Sequence, residues 1–270
     1  MLLREVEYAK PASISDALAI LRQHDGARAL AGGQTLLNVM KARAASPDVL
    51  VDLHGLDDLR GIDLAADGTL TLGAMATYTD IIGSAEARAR PILGEVCATI
   101  ADVQVRNRGT IGGNLCSNDP TNHLPPLMSA VGARMTIVSE AGERTVPAEE
   151  FFLGVYLTAV GPGELLTAIE IPAGKQDGFA AVTLGVDGTC IANAAASIDG
   201  TLRIALGCVD AIPIVLEPDG SDDDAVRAAV KGAALNPPDD VHASGEYRAH
   251  LAEVLAVRAA RQAAGKGGPA

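Results

Sequence analysis

The apolar residues change their spacing near residue 54, and that change limits the fold more than any other feature of the chain. Before it, Ala17, Leu18, Ile20 and Leu21 recur at helical intervals behind a Ser13-x-x-Asp16 capping pattern, which predicts a helix over 13–24. The run Ala29, Leu30, Ala31 stops at Gly32-Gly33, and Leu36, Leu37, Val39 and Met40 then resume helical spacing until Pro47, giving strand, glycine turn and helix. With a short strand at 49–51, this opening alternates helix and strand, the pattern of a small parallel sheet with crossovers. Beyond residue 54, Ile62 and Leu64 oppose Leu70 and Leu72 across Asp67-Gly68, and period-two alternation around such a dipeptide predicts a hairpin.

Helical stretches follow at 78–89 and 92–103, then a glycine-rich loop, then strands at 134–139, 144–147 and 165–171 with turns at Ala141-Gly142 and Gly161-Pro162-Gly163. The polar segment 173–178 reads as a boundary. After it come strand-like runs at 179–184, 192–198, 202–208 and 212–216, punctuated by Asp187-Gly188 and Asp199-Gly200, and helices at 222–231 and 245–264. Residues 265–270 are expected to fray. The fold class is α+β, with a first domain at 1–174 (parts at about 1–54 and 55–174) and a second, an antiparallel sheet plus helices, at 175–270.

With 270 residues the chain suits about two domains. Its 21 basic and 34 acidic side chains leave a charge of −13, against a nucleic-acid-binding body, which needs clustered Lys and Arg. No apolar run approaches the roughly 18 residues of a membrane span. The best, 204–216, is broken by Asp210 and Pro213, and Arg4, Glu5 and Glu7 stand where a signal peptide would be apolar, so a cytoplasmic location is expected. Cys97, Cys116, Cys190 and Cys208 have no C-x-x-C spacing, so no zinc or iron–sulfur loop is visible and the thiols read as single buried packing residues. With no Trp and three Phe, a planar ligand has to be held by backbone and aliphatic groups.

Two segments carry chemistry. In the first, Ala31-Gly32-Gly33-Gln34-Thr35 joins a strand to a helix, and glycines followed by helix-start amides suit a phosphate. Taken alone, these residues favour an ordinary turn capped by Thr35, since both the G-x-G-x-x-G spacing and the Walker lysine are missing. In the second, Arg106-Asn107-Arg108-Gly109-Thr110-Ile111-Gly112-Gly113-Asn114, three glycines in five residues argue against a helix and for outward amides in an anion-binding nest. The alternative is a structural loop with solvated arginines. A pyrophosphate spanning both loops would account for the pair.

AGGQT at 31–35, QVRNRGTIGGN at 104–114 with NDPTNHLPP behind it, GELLTAIEIP at 163–172 and SGEYRAHLAEVLAVRAARQA at 244–263 together resemble the FAD-binding medium subunit of molybdenum hydroxylases, the family of carbon monoxide dehydrogenase medium subunits and the flavin domain of xanthine dehydrogenase. The resemblance is collinear over nearly the whole chain. It implies a PCMH-type two-part FAD-binding domain, with Ala31, Gly32, Gly33, Gln34, Thr35, Leu36, Thr110, Ile111, Gly112, Gly113 and Asn114 at the phosphates and ribityl chain. Ile100 and Ala101 would lie against the flavin, or else in a helix core, and Val160 would offer it a backbone contact.

Two positions depart from the family pattern. His123 stands where many relatives place an Asp on the adenosine part, and Thr183 where relatives often place a Lys near the flavin ring, which implies weaker stabilisation of negative charge on reduced flavin. The resemblance also implies an electron-transfer subunit with no catalytic residue of its own. A large molybdenum-cofactor subunit and a small iron–sulfur subunit would be its partners, in a dimer of heterotrimers, with the substrate (carbon monoxide, an aldehyde, a purine or an N-heterocycle) left open. A stand-alone flavin oxidase or reductase and a non-catalytic nucleotide-binding assembly module are the rival readings.

Overall fold

The computed structural model describes residues 3–174, 176–185 and 188–266. Three sheets succeed one another along the chain. The first is parallel, in the order β1 (Glu7–Ala9), β3 (Val49–Asp52), β2 (Ala27–Leu30), with α1 (Ile14–Gln23) and α2 (Leu36–Lys41) as crossovers. Ser13 caps α1 by accepting from the Asp16 amide, as its spacing predicts. Central β3 is buried along its whole length, which suits an unbroken Val-Leu-Val run. Edge strand β1 went unanticipated because Glu7-Tyr8-Ala9 is short, carries no apolar alternation, and leaves Glu7 and Tyr8 exposed.

The second sheet is antiparallel, ordered β4 (Ile62–Leu64), β5 (Leu70–Gly73), β10 (Leu165–Ile171), β6 (Arg134–Ser139), β7 (Gly142–Pro147). Its helices are shorter than their apolar spacing predicts. The stretch 78–89 holds only α3 (Tyr78–Gly83) and a 3-10 turn, because Ser84 turns extended and caps Ala87 instead. The stretch 92–103 divides into α4 (Ile92–Thr99) and α5 (Val103–Arg106), since the Asp102 carboxylate caps Val105 and starts a new helix.

The glycine-rich loop is corrected too: Ile111–Ser117 is a helix, α6, containing Gly112 and Gly113. The Thr110 hydroxyl caps the Gly113 amide, and a Cβ on Gly112 would stand 2.6 Å from the Ala74 carbonyl oxygen. Tertiary closeness, not turn preference, explains that glycine. Asn118 ends α6 in the left-handed region and donates to Gly154 in the small ladder β8 (Phe152–Gly154)–β9 (Leu157–Thr158). Helices α7 (Leu124–Ala130) and α8 (Ala148–Phe151) complete this part.

The third sheet, also antiparallel, runs β11 (Asp177–Thr183), β12 (Cys190–Asp199), β13 (Thr201–Gly207), β14 (Ile214–Leu216), backed by α9 (Asp223–Gly232) and α10 (Gly245–Ala263). Alternate residues of β12 face different cores: Ala192, Ala194 and Ala196 pack toward α10, and Ala195 toward the middle core. Gly265 and Lys266 bond back to Gln262 and Arg261, so the expected fraying does not begin at 265; residues 267–270, like Asp187 of the expected turn and Lys175 of the boundary segment, lie outside the described residues.

Asp240 secures the approach to α10. Backbone amides of His242 and Ala243 and the buried Arg248 guanidinium hold its carboxyl at about 2, below the ordinary 3.8. A depressed folded-state value stabilises the fold above the ordinary value and fades as pH falls through the lower one. In acid titrations followed by circular dichroism, the wild type should therefore outlast Asp240→Ala near neutral pH, with the gap closing between 3.8 and about 2. A gap independent of pH would contradict this role.

Candidate functional site

The two glycine segments meet. A Cβ on Gly32 would stand 2.2 Å from the Arg108 carbonyl oxygen and 2.8 Å from Gly109 Cα, and one on Gly113 would touch the Ala31 methyl. Segments some eighty residues apart in sequence therefore form one surface. Gly33 is left-handed at φ +74°, and the Gln34 side-chain amide donates to the Gly32 carbonyl, fixing the turn. The amides of Gly32, Gly33, Gln34, Thr35 and Leu36 donate to no backbone carbonyl among the described residues. They form a cluster of free donors at the start of a six-residue helix, so their attraction for an anion comes from the local N–H groups. Thr35 makes no side-chain cap.

The second segment works differently from its predicted role as a nest. Ile111 and Gly112 donate to Ala76 and Ala74, Gly113 to the Thr110 hydroxyl and Asn114 to the Thr110 carbonyl. Those amides are spent inside the fold. What the segment offers instead is close packing, with Gly109 and Gly112 buried against Tyr78 and Ala74 and Gly113 against Ala31, and the Asn114 carboxamide. Asn114 Nδ2 donates to the Tyr78 hydroxyl at 3.0 Å, while its buried Oδ1 has no partner among the described residues. Burial pushes the Tyr78 hydroxyl well above its ordinary range, keeping the ring neutral. Arg106 is spent as well, holding the Ile100 carbonyl at 3.0 Å and the Ala101 carbonyl.

Asn122 extends the surface by donating to the Asn114 carbonyl and the Ser117 hydroxyl. Beside it His123 is buried, its ring 5.3 Å from that of Phe179 and its Nδ1 unpartnered among the described residues. Asn193 donates to the Asn122 carbonyl at 3.3 Å, tying β12 to this turn. The structure thus brings together 31–36, 109–114 and 122–123, with β11 and β12 beside them.

Of the remaining predicted positions, Ile100 and Ala101 are joined to the second segment through the Arg106 guanidinium, whereas no hydrogen bond among the described residues joins Val160 or Thr183 to either segment. Ile100 is extended at the end of α4 and Ala101 left-handed at φ +44°, so neither lies within a helix, while Ile100 packs against the middle core. The Val160 amide reaches the Thr158 hydroxyl at 3.4 Å, and the Thr183 hydroxyl is turned to the Gly185 carbonyl. Sequence reasoning passed over Tyr78, Ala74, Asn122 and Asn193. For Tyr78 a signal existed, the Thr77-x-x-Asp80 capping box that fixes where α3 begins; Ala74 and Asn193 act through contacts distant in sequence, and Asn122 through local bonds to Asn114 and Ser117 that apolar spacing does not record.

Comparison with known proteins adds to this geometry. The pattern of the FAD-binding domain in molybdopterin dehydrogenase matches residues 4–174. The carbon monoxide dehydrogenase medium chain of Afipia carboxidovorans is 38% identical over 278 aligned positions, covering 95% of this chain and 96% of that one. The glyceraldehyde dehydrogenase medium chain of Sulfolobus acidocaldarius is 31% identical, with 96% and 99% covered. Among solved structures, a chain of the cyanide-inactivated Cu,Mo-CO dehydrogenase superposes with a TM-score of 0.91 at 36% identity, covering 99% of this chain and 100% of that one.

Proposed function

Because the chain belongs to the family of FAD-binding domains in molybdopterin dehydrogenases, we propose that it is the flavoprotein medium subunit of a molybdenum hydroxylase, passing electrons from a partner iron–sulfur subunit to an external acceptor. The observation that carries this reading is the contact of Gly32 with Arg108 and Gly109, which makes one cradle of two glycine segments.

The residues fit the cofactor. Five free amides at 32–36 would take its phosphates, and the glycines of the second segment, packed against Tyr78, Ala74 and Ala31, bring that segment's backbone beside them. Asn114 Oδ1 and His123 Nδ1, buried without partners among the described residues, would receive ribityl and adenosine polar groups. Thr110 orients Asn114 through the helix start, and Ala31, Ile111, Ile100, Ala101, Val160 and Thr183 would border the remainder. Bound FAD supplies the redox chemistry, while this chain positions it and shields it from water.

The chain is an oxidoreductase subunit, and medium chains imply large and small partners, which hold the molybdenum cofactor and the iron–sulfur clusters. A dimer of heterotrimers is the assembly we propose. A cytoplasmic location is also part of the proposal; among the described residues no helix is long and apolar enough to cross a membrane. The domain limits proposed are 1–174, with an internal division near 54, and 175–270, supported by the end of the matched pattern at 174.

The test is co-expression with the large and small partners. The purified assembly should show the visible absorbance of oxidised flavin, and stripping FAD should stop electron delivery to a soluble dye while substrate still bleaches the iron–sulfur clusters. A colourless chain that takes up no FAD, or a flavoprotein that purifies without partners, would contradict the proposal.

A further inference from the structure

The four cysteines fall into two classes. Cys97 and Cys116 lie among apolar groups, and burial pushes both thiols up to about 12. Cys190 and Cys208 are neighbours instead, correcting their reading as isolated packing residues: the same Asn193 Nδ2 lies 3.5 Å from the Cys190 sulfur and 3.7 Å from that of Cys208. All three residues are buried, Asn193 completely.

Three local features assemble this cluster. The β11–β12 register shifts between Val182 and Thr183, whose partners are Ala192 and Cys190, so Ile191 is an extra residue. Ile191 and Ala192 consequently both pack toward α10, leaving Cys190 on the face of Asn193. At the end of β13, Cys208 adopts a left-handed φ of +65°, a conformation a β-carbon resists. Gly207 leaves room for the carboxamide, since a Cβ there would stand 2.4 Å from Asn193 Oδ1.

The electrostatics separate the two sulfurs. The Cys208 thiol hydrogen-bonding to Cys190, followed by His123 and Asn193, lowers the Cys190 thiol well below its ordinary range against the opposing effect of burial. Cys208 is driven up by the same contact and by burial, so it keeps its proton. In its protonated form Cys190 points at the Val182 carbonyl, 3.6 Å away. A thiol whose ionisation is favoured, beside one that holds its proton, is the arrangement of an attacking and a resolving thiol.

We propose that Cys190 and Cys208 form a peroxide-oxidised dithiol, with Cys190 as the attacking sulfur and Cys208 as the resolving one. The Cys190 thiolate attacks one oxygen of hydrogen peroxide, the O–O bond breaks as an S–O bond forms, and the departing hydroxide takes a solvent proton to become water. Cys208 sulfur then attacks the Cys190 sulfenic acid. An S–S bond forms, the S–O bond breaks, and the hydroxyl leaves as water with the Cys208 proton. In sum, two thiols give two electrons and two hydrogens to peroxide, producing a disulfide and two waters. Closing the bond brings the sulfurs to about 2 Å and draws them off Asn193, the same amide that holds the Asn122 carbonyl beside His123. Oxidation at the seam thereby reaches the 122–123 turn.

The experiment treats the full chain, in its assembly, with stoichiometric hydrogen peroxide, alkylates remaining thiols under denaturing conditions and maps the peptides by mass. A Cys190–Cys208 cross-link should appear, lacking two hydrogens and reversed by dithiothreitol, with Cys97 and Cys116 alkylated. Cys208→Ser should stop at a Cys190 sulfenic acid captured by dimedone, and Cys190→Ser should leave Cys208 oxidised at least about tenfold more slowly. Wild-type Cys190 oxidised no faster than Cys97, or carried to sulfinic acid without a cross-link, would overturn the proposal. The wild-type measurement decides even where a variant misfolds, and because it reads sulfur chemistry alone it is independent of whether flavin binds.

Discussion

Gly32→Ala is expected to lose FAD. The added methyl would meet the Arg108 carbonyl oxygen at 2.2 Å, the Arg108 carbonyl carbon at 2.9 Å and Gly109 Cα at 2.8 Å, all backbone atoms with no rotamer to escape into. The segments have to part, and overpacking of this kind costs about 1–3 kcal/mol. The greater effect is expected on the cofactor, because the free amides of 32–36, where we propose that the phosphates bind, would be pushed away from the 109–113 segment. Flavin content after reconstitution, read as visible absorbance per chain, should fall by about tenfold or more, the result of losing one or two good phosphate hydrogen bonds. Gly132→Ala is the control. Gly132 is left-handed at φ +68° with open space around it, so this variant should be destabilised by about 1 kcal/mol and keep its flavin. Full flavin content in Gly32→Ala would remove the shared cradle from the account.

Arg90→Ala should bring the largest loss of stability. The Arg90 guanidinium is buried between the middle and third sheets, with Nε and Nη2 each 2.8 Å from a different oxygen of Asp177, Nη2 also 3.0 Å from the Ser197 hydroxyl and Nη1 on the Pro172 carbonyl. Gly174 lies flat against it; a Cβ there would stand 2.8 Å from Nη2. The pair joins the end of the second sheet to the first and second strands of the third. Removing one member of such a pair leaves an uncompensated buried charge, costing about 3–5 kcal/mol. For a chain of this size that is a fall in melting temperature of roughly 10 °C. Arg90→Lys should recover little, since an ammonium cannot grip both carboxylate oxygens and the hydroxyl together. Arg90→Ala combined with Asp177→Ala should melt above Arg90→Ala alone, because neither charge is then stranded. Melting of Arg90→Ala within a degree or two of the wild type would show that the joint is held by packing alone.

Much of this architecture was legible because it is written in local period. The hairpin at 62–72, the strands at 134–139 and 165–171, and both terminal helices follow from alternation, helical spacing and turn dipeptides. Interruptions of helices were harder to see. The side chains of Ser84 and Asp102 compete with the helix for backbone amides, a choice that apolar spacing does not record. The glycines of the second segment misled in a more instructive way. Gly112 and Gly113 imply a loop by propensity, yet one is helical because Ala74 lies against it and the other because Thr110 caps it. The outward amides expected of them are instead bonded within the fold, to Ala74 and to the Thr110 hydroxyl. The dithiol was invisible to spacing, because Cys190 and Cys208 meet only through a one-residue shift in β12.

The seating of α10 bears on all of these groups. Gly178 on β11 faces the helix backbone itself, where a Cβ would stand 2.0 Å from the Ala259 carbonyl oxygen and 2.9 Å from the Ala263 nitrogen. Along β12 Ala192, Ala194 and Ala196 share one core with Ala252, Ala256, Ala259 and Ala260, with Leu251 and Leu255 among them. Short side chains have almost no torsional freedom to absorb a load, so such an interface is stiff in the way a bolted plate is stiff and a sprung one is not. The Asn193 face of the sheet, tied to the 122–123 turn by the Asn193–Asn122 bond, thus stands on a backing of closely packed short side chains.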